Sequence, residues 1–302
     1  MLNVVLCADK KVLLGLAATV RSALESSSEP MNVWVIENGI SRRNQQFLHE
    51  SWDHPMLGDV TFRPLDSQKV RGFRSTRYLK SKFAYARYFI PEMFPELSRC
   101  IYLDTDLLVF KDLAGSDEID LDEKPLAAVA DISSRLNRSA DTTRRLGLKA
   151  ETVYFNSGLL VTDMEYWRAE EISRRLIETS HDNFDILHSQ DQDALNIVFE
   201  GKTNLLDPSW NTSQYEKPEE IQGKIIHFIG TIKPWHARYA ENFEEPYYRT
   251  VMFEAFRDIL SRTKFDRDFS RRWGAAYRAM ERFESTLPTL DMLLGKSRRI
   301  FR

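Results

Sequence analysis

Apolar positions along the first third of the chain keep two rhythms. Short runs rich in β-branched residues, NVVLC (3–7), VWVIE (33–37) and VTFR (60–63), are separated by stretches with helical spacing. Residues 12–26 set Leu13, Leu16, Ala17, Val20 and Leu24 on one helical face. Residues 41–52 repeat that spacing behind Ser41, whose hydroxyl suits a helix N-cap. The strand pattern returns at IYLD (101–104), LAAVA (126–130), GLLVT (158–162) and IIHF (225–228). Strands alternating with helices in this way predict an α/β domain, a mostly parallel central sheet flanked by helices. Ligands of such sheets collect beyond the carboxyl ends of the strands. The polar, weakly periodic segment 131–152 predicts a loop or short helices above the sheet.

The rhythm fades near residue 262. Beyond it Phe265, Phe269, Trp273, Tyr277 and Phe283 interleave with Arg271, Arg278 and Arg282. Residues 261–302 hold eleven Lys/Arg against five Asp/Glu, in a chain of net charge −3. The expected organisation is a domain over 1–262 and a basic, aromatic, helical extension over 263–302. Such an extension either packs back on the domain or makes peripheral contact with an anionic bilayer, each basic residue contributing ~1 kcal/mol. The balanced overall charge and the lack of a recognised binding module argue against nucleic acid as a partner.

The chain of 302 residues, 42% hydrophobic, is large enough to bury a full core. Its two cysteines, Cys7 and Cys100, each lie in a strand-like apolar run, where an inert thiol is expected and a disulfide framework is not. No apolar run nears the ~20 residues of a membrane span, and Asp9, Lys10 and Lys11 interrupt the first apolar stretch. A cytoplasmic protein, peripheral at most on the inner face of a membrane, is the expectation.

The candidate chemistry begins at CIYLDTDLLVF (100–110), which sets Asp104 and Asp106 inside a strongly hydrophobic run. Burying a carboxylate costs several kcal/mol unless something compensates its charge. Two residues apart on an extended strand, both side chains face the same way and can grip a hard divalent cation. The plainer alternative is a turn closing the strand. A second feature, IIHFIGTIKPWH (225–236), places His227 in a strand-like run, then Gly230 for a tight turn, then Lys233. Imidazole suits Mn²⁺ or a similar ion, and a lysine meets phosphate as a point charge. Taken singly, a histidine such as His227 is more often a satisfied core residue than a ligand.

Together these segments resemble the retaining glycosyltransferases of family 8, the group that contains glycogenin and bacterial lipooligosaccharide galactosyltransferases. The resemblance runs from residue 2 to about 236. It rests on ADKK (8–11), KFAYAR (82–87), YLDTDLLV (102–109), YFNSGLLV (154–161), DQDALN (191–196) and HFIGTIKPW (227–235), in the family's order and spacing. It implies a GT-A, Rossmann-like nucleotide-binding domain that transfers galactose or glucose from a UDP-sugar to a glycan or glycolipid acceptor. Asp104, Asp106 and His227 then become ligands of Mn²⁺, with Mg²⁺ as a substitute.

The resemblance also implies roles for the remaining motif residues. Ala8 and Asp9 would line the uracil and ribose pocket, and Thr105, Lys82 and Arg87 would lie near the donor. Gly230 and Lys233 would meet the diphosphate. Asp131, Asn156, Ser157, Gly158, Asp191 and Gln192 would surround the hexose, with Gln192, Asp191 and Asp131 closest to the chemistry. Gln192 falls on the position facing the sugar opposite the departing UDP; an amide is a poor nucleophile, which favours front-face return over a covalent step through a carboxylate. Where the family commonly stacks an aromatic on uracil, this chain has Lys11 and Val12. Two rivals remain: a non-catalytic sugar-nucleotide-binding protein on the same fold, and a metal-dependent phosphohydrolase, which would need a second acidic cluster.

Overall fold

The structure, a computed structural model, describes residues 1–75, 81–236 and 252–269. The predicted alternation forms β1 (Leu2–Asp9), α1 (Leu13–Ser26), β2 (Met31–Asn38), α2 (Arg42–Ser51) and β3 (Leu57–Pro64). Ser41 caps α2 by accepting from Asn44 N at 3.3 Å. Then follow β4 (Arg99–Leu103), β5 (Leu107–Val109), β6 (Leu126–Ala130), β7 (Phe155–Asp163), α3 (Ile172–Asp182) and α4 (Gln190–Val198). The described chain ends with β8 (Thr203–Leu206), β9 (Thr212–Ser213), β10 (Ile225–His227) and α5 (Glu254–Ser261). Segment 131–152 carries two short helices, Ile132–Arg135 and Ala140–Arg145.

The main sheet has the order β3-β2-β1-β4-β7-β6-β8. Every pairing is parallel except those of β7, which runs antiparallel to β4 and β6. Apolar layers cover both faces. On one, Leu16, Val20 and Leu24 of α1 and Leu48 of α2 pack with Val4, Val33 and Val35; on the other, Tyr85, Tyr88, Leu176 and Leu195 pack with Val5 and Leu160.

The run CIYLDTDLLVF is not one strand. β4 stays in the main sheet, whereas β5 leaves it for a second, three-stranded sheet of order β5-β10-β9. Asp104, Thr105 and Asp106 form the turn between them, so the same-side argument for an extended strand gives way to a turn that aims both carboxylates. On its other edge β5 meets α1 instead of a strand. Thr19 Oγ1 donates to Leu107 O (2.8 Å), Ser22 Oγ accepts from Val109 N (3.0 Å) and Ser26 Oγ donates to Val109 O (2.8 Å). Helix hydroxyls thus satisfy backbone groups that would otherwise be buried without partners.

Packing runs across the expected boundary at 262. Phe265 and Phe269 are buried in the same apolar layer as Phe253 and Phe256, and Lys264 N donates to Ser51 Oγ at 2.9 Å. These two aromatics therefore face the core and not a lipid surface. Arg271, Trp273, Tyr277, Arg278, Arg282 and Phe283 lie outside the described residues. Among the described residues no helix is long and apolar enough to cross a membrane.

Candidate active site

The two sheets meet at the end of β4, and their junction brings Asp104, Asp106 and His227 together. One ligand atom from each lies within 4.8 Å of the others. His227 Nε2 is 3.3 Å from Asp106 Oδ1 and 3.9 Å from Asp104 Oδ2. Asp106 Oδ1 is buried and accepts no hydrogen bond, which is costly for a carboxylate oxygen unless a cation claims it. Two carboxylates and one imidazole form a donor set suited to a divalent ion such as Mn²⁺. The described residues hold this one group of three such side chains.

Glycines make the junction possible. A Cβ on Gly158 would lie 2.2 Å from His227 Cε1, so only glycine lets the imidazole sit over β7. A Cβ on Gly15 would lie 2.1 Å from Thr105 O and 2.5 Å from Trp235 Cη2. Gly15 costs α1 about 1 kcal/mol relative to alanine, and in exchange the Asp-Thr-Asp turn rests directly on the helix. Gly230 has φ of +90°, a conformation glycine adopts without strain.

Opposite charges hold the carboxylates in place. Asp104 Oδ1 accepts from Arg87 Nη2 (2.8 Å) and Tyr102 OH (2.7 Å). Arg87 is buried, donates to Ser157 O (2.6 Å), and keeps Nε 2.9 Å from Asp191 Oδ2. Burial opposes its charge, but Asp104 and Asp191 outweigh burial and hold the guanidinium well above its usual range. Burial likewise opposes ionisation of Asp106, yet Lys233, whose Nζ contacts Asp106 Oδ2, and His227 hold that carboxyl below the usual carboxylate range. Lys233 Nζ also donates to Phe228 O at 2.6 Å. For Asp191 burial wins: it pushes the carboxyl up to about 6, with Arg87 only partly offsetting it and Asp104 adding to the rise.

Beside this cluster lie the residues expected around the hexose. Gln192 Oε1 accepts from Ser157 N (3.1 Å) and Asn156 Nδ2 (3.2 Å), while its Nε2 donates to Tyr154 OH (3.0 Å). Asp131 caps the short helix after β6, accepting from Ser133 N at 2.9 Å, and its Oδ2 is 3.4 Å from Gln192 Nε2. Asn156 Oδ1 accepts from Gly158 N at 2.9 Å. Asp131, Asn156, Ser157, Gly158, Asp191 and Gln192 thus come together. Ala8, next to last in β1, is fully buried, and Asp9, which ends the strand, accepts through Oδ1 from Lys11 N at 2.8 Å. Lys82 stands apart: it is half-buried, donates to Arg71 O at 3.0 Å, and makes no hydrogen bond to the cluster among the described residues. KFAYAR lies in a 3₁₀ helix, Lys82–Phe89, whose Arg87 is buried and points toward Asp104.

Several contributors escape a reading of the sequence. Asn211 Oδ1 lies 3.0 Å from His227 Nδ1, and Asn211 Nδ2 donates to Asn156 Oδ1 at 2.8 Å. Tyr154 OH donates to the buried Asp193 at 2.5 Å. Neither Asn211 nor Tyr154 carries a local signal for these contacts. Gly15 does: an isolated glycine inside a helical pattern marks a close approach.

Residues 3–238 match the domain described as Glycosyl transferase family 8. General stress protein A of Bacillus subtilis (strain 168) is 26% identical over 280 residues, covering 85% of this chain and 96% of that protein. A lipopolysaccharide 1,3-galactosyltransferase of Salmonella typhimurium is 25% identical over 253 residues, covering 78% of this chain and 73% of that protein. Among solved structures, galactosyltransferase LgtC in complex with donor and acceptor sugar analogs matches with a TM-score of 0.75 at 22% identity, over 87% of this chain and 96% of that one. The chain belongs to glycosyltransferase family 8 and has its GT-A fold.

Proposed function

We propose that the protein is a retaining hexosyltransferase that moves galactose or glucose from a UDP-sugar to a glycan or glycolipid acceptor, such as a lipopolysaccharide or capsule chain. The observation that carries this reading is the convergence of Asp104, Asp106 and His227 beside Gln192, Asn156 and Asp131. Asp104, Asp106 and His227 would hold Mn²⁺, with Mg²⁺ as a substitute. A divalent cation bound there supplies electrostatic support for charge on a departing diphosphate, an effect usually worth several kcal/mol.

The chain's own residues do the rest. Arg87 holds Asp104 in place through its hydrogen bond. Lys233 adds a cation at the same edge, and Gly230 lets backbone approach a phosphate closely. Ala8, Asp9 and Thr105 border the nucleotide side, and Asp131, Asn156, Ser157, Gly158 and Asp191 the sugar side. Gln192 Oε1 already accepts hydrogen bonds from Asn156 Nδ2 and from Ser157 N and Oγ, so it acts as a fixed negative dipole toward the anomeric carbon and not as a nucleophile. This favours front-face departure and return. A cytoplasmic location, with the basic residues beyond 269 contacting anionic lipid, belongs to the same proposal.

The test is release of UDP from a panel of UDP-sugars, with and without Mn²⁺, for the wild type and Asp104→Asn. The expected result is metal-dependent release from UDP-galactose or UDP-glucose that disappears in the variant. Turnover that ignores both the metal and the substitution would refute the reading. Donor binding without release, whatever acceptor is offered, would move the assignment to a non-catalytic binding protein.

A further inference from the structure

The polar groups between the metal-binding cluster and the buried Asp193 form one chain of hydrogen bonds with a single direction. His227 Nδ1 faces Asn211 Oδ1 (3.0 Å), Asn211 Nδ2 donates to Asn156 Oδ1 (2.8 Å), and Asn156 Nδ2 donates to Gln192 Oε1 (3.2 Å). Gln192 Nε2 donates to Tyr154 OH (3.0 Å), which donates to Asp193 Oδ1 (2.5 Å). Donors outside the chain set its direction. Gly158 N–H donates to Asn156 Oδ1 and Ser157 N–H to Gln192 Oε1, so each of those atoms must be the amide oxygen. At the far end Asp193 also accepts from His188 N, Ser189 N and Arg145, leaving it an acceptor only.

With Asn156 Oδ1 fixed as an acceptor, Asn211 must turn its NH₂ toward it and its oxygen toward His227. An oxygen there demands a proton on Nδ1, so Nε2 is the nitrogen that faces Asp104 and Asp106 and can give its lone pair to a cation. We infer that Asn211 is a positioning residue: it selects the Nδ1–H tautomer of His227, the form able to ligate a metal through Nε2, and it joins that ligand to Gln192 on the sugar side. The inference rests on the metal reading of the cluster, but the tautomer is measurable without metal.

The test uses the full chain labelled with ¹⁵N-histidine, the His227 signals being identified by their loss in His227→Gln. In the metal-free wild type the spectrum should show a protonated Nδ1, whether or not Nε2 between the two carboxylates also holds a proton; a bare Nδ1 would overturn the inference whatever the variants do. Asn211→Leu should lose that tautomer preference and bind Mn²⁺ about 10-fold or more weakly by calorimetric titration, in keeping with outer-sphere partners of ligating histidines. Asn211→Asp, which still accepts from Nδ1–H, should recover the tautomer and part of the affinity. An Asn211→Leu protein with wild-type tautomer and affinity, or an Asp variant no better than Leu, would refute it. Wild-type protein that shows the expected tautomer but binds no Mn²⁺ would instead refute the metal reading.

Discussion

Val4, Val33, Val35 and Leu48 in the β1, β2 and α2 region and Asp191, Asp193, Asn196 and His227 in the β7, α4 and β10 region are equally hidden, all between 0% and 4% exposed. The first set is held by apolar burial, which is additive, non-directional and tolerant of small shifts. The second is held by hydrogen bonds and ion pairs whose donors and acceptors must match, because each unpartnered atom is costly in a low dielectric. One region therefore contributes stability, and the other trades stability for geometry. Substitutions should separate the two: in the first they change folding with little effect on chemistry, and in the second the reverse.

The largest effect expected is from Asp106→Asn, which removes a charge from the proposed metal site and the partner of Lys233. Turnover should fall by at least ~10³-fold, about 4 kcal/mol, while the circular dichroism spectrum stays native. Native turnover in this variant would break the comparison at its strongest point. On the apolar side, Leu48→Ala should cost about 2–5 kcal/mol in urea unfolding, with turnover by the folded enzyme unchanged. A matching loss of activity would show that the two regions are not separable.

Gly158→Ala sharpens the comparison by placing one methyl against the His227 ring. It should lower stability by about 1–3 kcal/mol through overpacking and weaken Mn²⁺ binding roughly 10- to 100-fold, measured by calorimetry. The smallest effect concerns Asp191, which burial raises to about 6. A carboxyl raised on folding favours the folded state while protonated, so its contribution is present at pH 4 and lost as the pH rises through about 6. Asp191→Asn, which mimics the protonated form, should match the wild-type Tm near pH 4 and exceed it at pH 7. An unchanged difference between those pH values would show that Asp191 titrates normally.

The apolar region was legible in the sequence because burial leaves a period: α1, α2 and the strands from β1 to β3 fall where Leu13, Leu16, Val20 and the NVVLC and VWVIE runs indicate. β8 escaped because it has four residues and exposes Leu205. The sequence leaves Asp104–Asp106 open between an extended strand and a closing turn, because the apolar residues on its two sides belong to different sheets, a fact that no local pattern carries. Asp104, Asp106 and His227 were found as residue types, but their meeting depends on β10 pairing with β5 across more than a hundred residues of chain. The roles of Asn211 and Tyr154 were invisible, since a single asparagine or tyrosine has no period and its partner is set by tertiary contact alone. The boundary at 262 followed a change of composition, whereas packing continues through Phe269.

The measurement that bears most directly on this account is the anomalous scattering of Mn²⁺ in crystals grown with UDP. The account predicts a peak in contact with Asp104, Asp106 and His227 and with the diphosphate. UDP bound with no peak at those three side chains, or with the metal held elsewhere, would contradict it.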